Sequence, residues 1–362
     1  MTLPLALMLV PLLTIGDAVA GYADVDEAGY PSLLDRQLHL WTNAARVDPE
    51  AFEDDYQQSY AHPCSFYVEF SEDEQTPKAP VYYDRNLNEA ARFHSQDMSD
   101  NDHFAHESSD GTSFGDRLAR FYDTPFVGEN IAWNYPNPYD TVFKGWMCSP
   151  DGHRGNIMSK DWTELGTSIV GAYATQDFGG GAADSAGAVA MAAHEPASAT
   201  DDALFLADWQ DAEAPVYLQV IVDGEATPLE LTWGTDLQGV FSVEVDVEAG
   251  DCHTYMFEWE TASGTTGVFP ETGSYTYGID CEDSLGWVPN QSGGGGGGSG
   301  SGGGSEGGSG SLDTDDIRLV GCATTPSEHN GRTGGGLATL GMMGLLALGR
   351  RRRREGHATL AG

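Results

Sequence analysis

Four polar side chains in the first half of the chain could together carry metal chemistry. They are the histidines His94, His106 and His153 and the carboxylate of Glu129. Imidazole nitrogens and a carboxylate oxygen suit Zn²⁺, and a site made of His106, His153 and Glu129 leaves one position open for water. Such a site can lower the pKa of bound water towards neutrality, which permits hydrolysis. Zn²⁺ or another divalent cation is therefore the expected cofactor.

The position of His94 follows from helical periodicity. Apolar residues at spacings of three and four predict a helix from Asn86 to about Met98, with His94 on the same face as Leu87, Ala90 and Ala91. That face points inward, so His94 is either a hydrogen-bonded core residue or a residue of the cleft. In the cleft it would support the ligands or act as a further ligand.

The sequence does not favour an enzyme. Ser108, Ser109 and Ser113 lie in a turn-like segment without an evident base, so no nucleophile, base and orienting group can be assigned. Arg117 is expected to be a buried or half-buried partner of a carboxylate, because an unpaired buried arginine is costly.

Two patterns of periodicity divide the body of the chain. Residues 30–212 alternate helical segments with Gly, Pro and Asp loops, including predicted helices at 34–47 and 138–147 and strands at 165–173 and 203–209. The stretch 179–199 is expected to be a loop. Residues 213–288 change to period two with Gly/Asp turns, which predicts a small all-β sandwich-like domain. The predicted fold class is α+β.

Four segments of the first body share a family resemblance. AARFHSQDM (90–98), HFAHESSDGTSFGDRL (103–118), VGENIAW (127–133) and GWMCSPDGHRGNIM (145–158) resemble, in this order and spacing, the bacterial branch of the CAP superfamily, also called the SCP or CRISP/antigen 5/PR-1 domain. The resemblance covers about residues 32–210.

The resemblance implies a three-layer α-β-α sandwich with a cleft lined by His106, His153 and Glu129, where relatives bind a divalent metal. The acid of the eukaryotic family pattern has no counterpart here, since Ser149 stands near its place. The resemblance also implies extracellular binding of lipids, sterols or glycans.

Both ends of the chain look like targeting segments. Residues 1–20 combine an apolar stretch with the small-residue site Ala18-Val19-Ala20, which predicts a signal peptide; the alternative, a membrane helix, is too short to span. Residues 289–317 form a Gly/Ser-rich linker. In residues 318–362, Cys322 precedes an apolar stretch and five arginines, similar to the MYXO-CTERM class of surface-sorting tags. An uncleaved anchor is the alternative, and both place the body outside the cytoplasmic membrane.

The other four cysteines suggest disulfides in an oxidising compartment. Three pairings are possible, and Cys64–Cys148 with Cys252–Cys281 is favoured because each pair stays within one predicted domain.

The charge excludes one class of partner. The chain has 17 Lys and Arg against 56 Asp and Glu, a net charge of −39, and residues 161–317 contain no Lys or Arg. Nucleic acid is therefore not expected as a partner, because phosphates need basic side chains. The expected membrane contact is limited to the C-terminal segment.

Three functional hypotheses remain from the sequence. The first is a secreted or surface-displayed protein that binds a small extracellular ligand or envelope component in the His/Glu cleft. The second is a metal-dependent extracellular hydrolase of peptide or envelope polymer, and the third is a surface adhesion protein.

Overall fold

The structure is a computed structural model of the chain. It describes residues 21–26, 28–52, 69–124, 126–135, 137–149, 152–181, 187–197, 200–248, 250–278, 281, 318–319 and 323–324.

A sheet with helices on both faces forms the first part of the molecule. Its strands are β1 (Tyr82–Tyr83), β2 (Val127–Trp133), β3 (Glu164–Val170) and β4 (Tyr173–Gly179), in the order β1-β3-β4-β2. β1 is parallel to β3, and the other neighbours are antiparallel. Two short strands near the C-terminus, β14 (Arg318–Leu319) and β15 (Ala323–Thr324), pair with β2 on the edge away from β4.

Five α-helices are described in this part. They are α1 (Leu33–Val47), α2 (Arg85–Asn101), α3 (Phe114–Leu118), α4 (Pro138–Asp140) and α5 (His153–Ile157). α1, α2 and α4 fall in predicted helical segments, whereas α3 and α5 were not predicted. α1 begins at a capping box of Ser32 and Asp35, and α2 begins where the Asp84 side chain accepts from the Leu87 amide. The predicted helix at 138–147 continues beyond α4 as a π-helix over Thr141–Met147, a winding that apolar spacing does not reveal.

α1 and α2 lie on opposite faces of this sheet. Thr167 of β3 donates from its hydroxyl to the backbone oxygen of Asp35 in α1 at 2.8 Å. Its neighbour Gly166 faces the other way, where a Cβ atom would collide with the backbone of Leu87 and Asn88 in α2. Because successive strand residues point to opposite faces, the helices enclose the sheet. The predicted three-layer α-β-α arrangement is confirmed.

Two further sheets form a sandwich in the second part. One has the order β5-β6-β10-β9 and the other β12-β11-β7-β8, with β13 also on β11. Their strands are β5 (Ala192–Glu195), β6 (Asp202–Gln210), β7 (Pro215–Val222), β8 (Glu225–Pro228), β9 (Glu230–Gly234), β10 (Gln238–Asp246), β11 (His253–Thr261), β12 (Thr266–Phe269) and β13 (Tyr275–Tyr277). Trp209 of β6 packs on Trp259 of β11 at 5.6 Å between ring centroids. The predicted α+β class with a β-rich second part is confirmed.

Strand pairing runs across the predicted boundary between residues 212 and 213. β6 pairs with β10 in register from Asp202↔Asp246 to Gln210↔Gln238, so residues before and after the boundary share one sheet. The prediction of a loop at 179–199 is wrong at β5, whose first three residues are buried. A short Ala-rich strand buried in this way lacks the alternation that marks a half-exposed strand. The domain division itself stays a prediction.

The predicted Cys252–Cys281 disulfide is present, with 5.6 Å between the Cα atoms. Cys148 is also disulfide-bonded, but Cys64 lies outside the described residues, so the Cys64–Cys148 pairing stays a prediction. Residues 1–20, the linker 289–317 and Cys322 also lie outside them. Among the described helices, none is long and apolar enough to cross a membrane.

Candidate functional site

Glu129 is the centre of a buried polar group on the α2 side of the first sheet. It lies on β2 directly opposite Asp177 of β4. Asp177 in turn lies opposite Gly166 of β3, the residue that faces α2. Opposed residues of antiparallel strands point to the same face. The two carboxylates are therefore neighbours beneath α2, and both are fully buried.

The carboxylate of Glu129 accepts from two side chains, the His106 ring and the Arg117 guanidinium. Nδ1 of His106 donates to Oε1 at 2.8 Å, and Nη2 of Arg117 donates to Oε2. Arg117 is itself fully buried, and its Nη1 donates to the backbone oxygen of His106 at 2.9 Å. Arg117 therefore fixes both the carboxylate and the loop that carries His106. The expectation that Arg117 pairs with a carboxylate is confirmed, with Glu129 as the partner.

Glu129 is ionised in this setting. Burial alone would raise the pKa of its carboxyl, but the charge of Arg117, together with the hydrogen bond from His106, outweighs burial and holds the pKa well below its usual value. The ion pair with Arg117 thus keeps a negative charge in the interior.

The pKa of Asp177 is shifted in the opposite direction to that of Glu129. Burial and the adjacent charge of Glu129 raise its pKa well above the usual value. Within the described part of the chain, neither of its carboxyl oxygens has a hydrogen-bond donor. A protonated Asp177 fits this surrounding, because it is neutral and can donate to Glu129, whereas two adjacent carboxylates in a buried site repel each other.

His94 lies in the same region, as its helical spacing predicted. It is fully buried, and its Nε2 donates to the backbone oxygen of Ala105 at 2.9 Å. Burial lowers its pKa to about 4, so the ring is neutral at pH 7. The hydrogen bond ties α2 to the loop before His106, which supports the core and positioning interpretation of His94.

His106 is the member of the group that reaches the surface. Of its side chain, 17% is exposed, whereas the side chain of Glu129 is fully buried. The bond from Nδ1 to Glu129 sets the ring orientation, and a neutral ring that donates from Nδ1 carries its lone pair on Nε2. His106 is therefore the part of this buried group that a ligand can contact.

His153 is hydrogen-bonded to Asn130, the residue that follows Glu129 on β2. His153 is buried, and its backbone oxygen accepts from the side-chain amide of Asn130 at 3.1 Å. Asn130 also donates to Gln176, whose own amide donates to Thr42 of α1. Asn130 therefore points to the α1 face, opposite to Glu129.

The contacts of Glu129 are those of a buried ion pair. Both of its oxygens are engaged, by His106 and by Arg117. Among the residues that the structure describes, no three or more His, Cys, Asp or Glu side chains are grouped to hold a metal ion. The expected metal binding by His106, Glu129 and His153 stays a prediction.

Sequence reasoning missed Asp177. The residue stands in a strand, YATQDFG, all of whose residues are buried. A carboxylate in a fully buried strand is a signal in itself, since such a group is costly unless it is paired or protonated. The pairing with Glu129, however, depends on the register between β2 and β4, which lies outside the reach of local sequence patterns.

Comparison with known proteins links the first part of the chain to one family. Residues 42–180 match the family model described as "Cysteine-rich secretory protein family" (CAP). Two curated proteins of Bacillus subtilis strain 168 are similar: an uncharacterized membrane protein, YlbC, at 39% identity over 28% of this chain and 29% of its own length, and an uncharacterized protein, YkwD, at 39% identity over 27% and 39%. The chain thus spans three to four tenths of these curated relatives.

Solved structures with local similarity include two surface or extracellular proteins. An extracellular protein containing an SCP domain from Bacillus anthracis is 34% identical over 28% of this chain and 34% of its own, with a TM-score of 0.26. An outer surface protein from Borrelia burgdorferi is 19% identical over 27% of this chain and 76% of its own, with a TM-score of 0.25.

Proposed function

We propose that this chain is an exported, surface-displayed binding protein that holds a small extracellular ligand of the lipid, sterol or glycan class at His106. The observation that carries the proposal is the buried Glu129–Arg117 ion pair, which orients a partly exposed His106. Because both of its oxygens accept hydrogen bonds, the Glu129 carboxylate orients the His106 ring and is a weak proton acceptor. Ligand hydroxyl groups suit an imidazole ring, because a hydroxyl can both donate and accept hydrogen bonds.

Export is supported by the predicted signal peptide, by the secretory family that residues 42–180 match, and by the Cys252–Cys281 disulfide. Disulfides persist in oxidising compartments outside the cytoplasm. Anchoring near Cys322 belongs to the same proposal.

The test is a binding screen with the full exported chain. The protein is applied to a glycan array and to vesicles with and without sterol, while the same samples are analysed for cleaved products and for stoichiometric zinc. Saturable binding without product formation supports the proposal. Product formation that depends on bound zinc would instead establish the metal-dependent hydrolase, and no binding in either format would contradict a glycan or lipid ligand.

A further inference from the structure

Residues 21–26, the first that the structure describes, form a strap that joins the two parts of the molecule. The hydroxyl of Tyr22 accepts from the Tyr83 amide of β1 at 2.6 Å and donates to the backbone oxygen of Ala190 at 2.8 Å. Tyr275 of β13 donates from its hydroxyl to the backbone oxygen of Ala23 at 2.9 Å. The strap therefore contacts both the first sheet and the sandwich.

Two carboxylates meet at the beginning of this strap. The Gly21 nitrogen donates to Oδ2 of Asp24 at 2.7 Å, and the Tyr22 nitrogen donates to Oε2 of Glu271 at 2.6 Å. A Cβ atom on residue 21 would lie 2.9 Å from each of these two oxygens. The absence of a side chain at Gly21 thus lets both carboxylates approach its backbone.

The carboxylates lack a basic side chain. Asp24 is 3% exposed and accepts from the amide and hydroxyl of Thr272, while Glu271 is exposed. In the described part of the chain, neither forms a salt bridge with Lys or Arg. Glu271 also belongs to the segment 161–317, which contains no Lys or Arg. Arg85 lies nearby, but it donates to the backbone oxygens of Gly21 and Asp24 and forms its ion pair with Asp26. A cation at Gly21 would therefore add a charge that Asp24 and Glu271 lack.

We infer that removal of residues 1–20 turns the Gly21 nitrogen into an ammonium group that forms ion pairs with Asp24 and Glu271 and locks the strap. The inference rests on the predicted cleavage after Ala20. Water adds across the Ala20–Gly21 peptide bond: its hydroxyl goes to the Ala20 carbonyl carbon and a proton to the Gly21 nitrogen. At neutral pH the products are a carboxylate at Ala20 and an ammonium at Gly21.

The ammonium suits the site better than the amide it replaces. The peptide nitrogen of Gly21 has one N–H, which Asp24 already accepts. An ammonium has three N–H donors and a full positive charge, so it can serve both carboxylates. The body would consequently become more stable only after the leader has been removed, which ties tightening of the fold to export.

The test compares two forms of the protein that differ only at this end. One begins with a free amine at Gly21 and the other retains Val19 and Ala20; both continue to residue 362. We expect the Gly21 form to have a Tm higher by about 2 °C or more at pH 7, as a partly buried ion pair would give. The difference should shrink above pH 10, where the amine is neutral.

Glu271→Gln is the informative variant, because it removes one charge and keeps the shape of the side chain. Glu225→Gln, at an exposed site on β8, is the control with the same change in net charge. We expect Glu271→Gln to reduce the Tm difference and Glu225→Gln to leave it unchanged. Equal Tm values for the two forms, an undiminished difference in Glu271→Gln, or an exported protein whose first residue is not Gly21 would each overturn the inference.

Discussion

At the scale of single residues, the site is built around two neighbouring carboxyls whose pKa values are shifted in opposite directions. Glu129 keeps its charge because Arg117 and His106 donate to it. Asp177, directly opposite and without a donor in the described structure, has a pKa that burial and the charge of Glu129 raise. The pair lets a buried site hold a single negative charge, which matches the single charge of Arg117.

Removing the charge of Glu129 should cost stability. In Glu129→Gln the guanidinium of Arg117 remains buried without a counter-charge, so we expect a loss of about 3 kcal/mol in the free energy of unfolding. Denaturant unfolding at pH 7 measures it. Glu107→Gln, an exposed change in the same loop region, is the control, and a loss no larger than that of the control would contradict the ion-pair account.

The raised pKa of Asp177 should make the free energy of unfolding depend on pH. A pKa raised by folding contributes stability that is fully present below the unfolded value, near 4, and is lost as the pH rises towards the folded value. Asp177→Asn has no such titration and can still donate to Glu129. We therefore expect its free energy of unfolding to improve relative to wild type as the pH rises from 4 to 8, measured by denaturant unfolding at each pH. A constant difference would show that Asp177 is ionised.

At the scale of elements, the packing of α2 on the sheet determines where the carboxyl pair lies. Gly166 allows the backbone of α2 to touch β3 at Leu87 and Asn88. On the same helix, Ser95 donates to the hydroxyl of Thr175 at 2.9 Å. Close contact of helix and sheet excludes water from Glu129 and Asp177, which strengthens their electrostatic coupling.

Gly166→Ala should therefore push α2 away from the sheet. We expect a loss of roughly 2 kcal/mol or more in the free energy of unfolding, typical of overpacking. Gly155→Ala is the matched control, because its Cβ atom meets nothing within 4 Å and it lies in a helix, where alanine is favoured. Similar stabilities for both variants would show that the sheet accommodates the added methyl group.

Features that depend on residues close together in the sequence were predicted, and features that depend on contacts between distant segments were not. The apolar periodicity of α1 and α2 repeats within a few residues, so those helices were predicted. His106, Glu129 and Arg117 were identified through motif resemblance and the cost of a buried arginine. Asp177 and the pairing of β6 with β10 were missed, since both depend on strand register between distant segments.

At the scale of the whole molecule, charge is distributed unevenly. The chain carries a net charge of −39, and residues 161–317 hold 28 of the 56 acidic side chains without a Lys or Arg. The buried ion pair of Glu129 and Arg117 lies outside this acidic segment, since both residues precede residue 161. Repulsion among like charges destabilises a compact state unless ions screen it.

Added salt should stabilise the protein. We expect the Tm to rise between 0.05 M and 1 M NaCl, since the screening length falls from over 10 Å to about 3 Å over this range. Differential scanning calorimetry of the full chain measures the rise, and replacement of NaCl by sucrose controls for effects other than screening. A Tm that stays constant or falls with NaCl would contradict the role of surface repulsion.

The binding of a ligand at His106 is the central claim, and the affinity of His106→Ala tests it most directly. His103→Ala is the control, because His103 lies in the same loop and, in the part of the chain that the structure describes, its ring bonds within that loop, from Nε2 to the backbone oxygen of Glu107 at 2.9 Å. With the best ligand from the glycan and lipid screen, we expect a Kd at least about tenfold weaker for His106→Ala, as loss of a charge-supported hydrogen bond gives, and a Kd within twofold, about 0.4 kcal/mol, of wild type for His103→Ala. Equal affinities for His106→Ala and wild type would contradict the account.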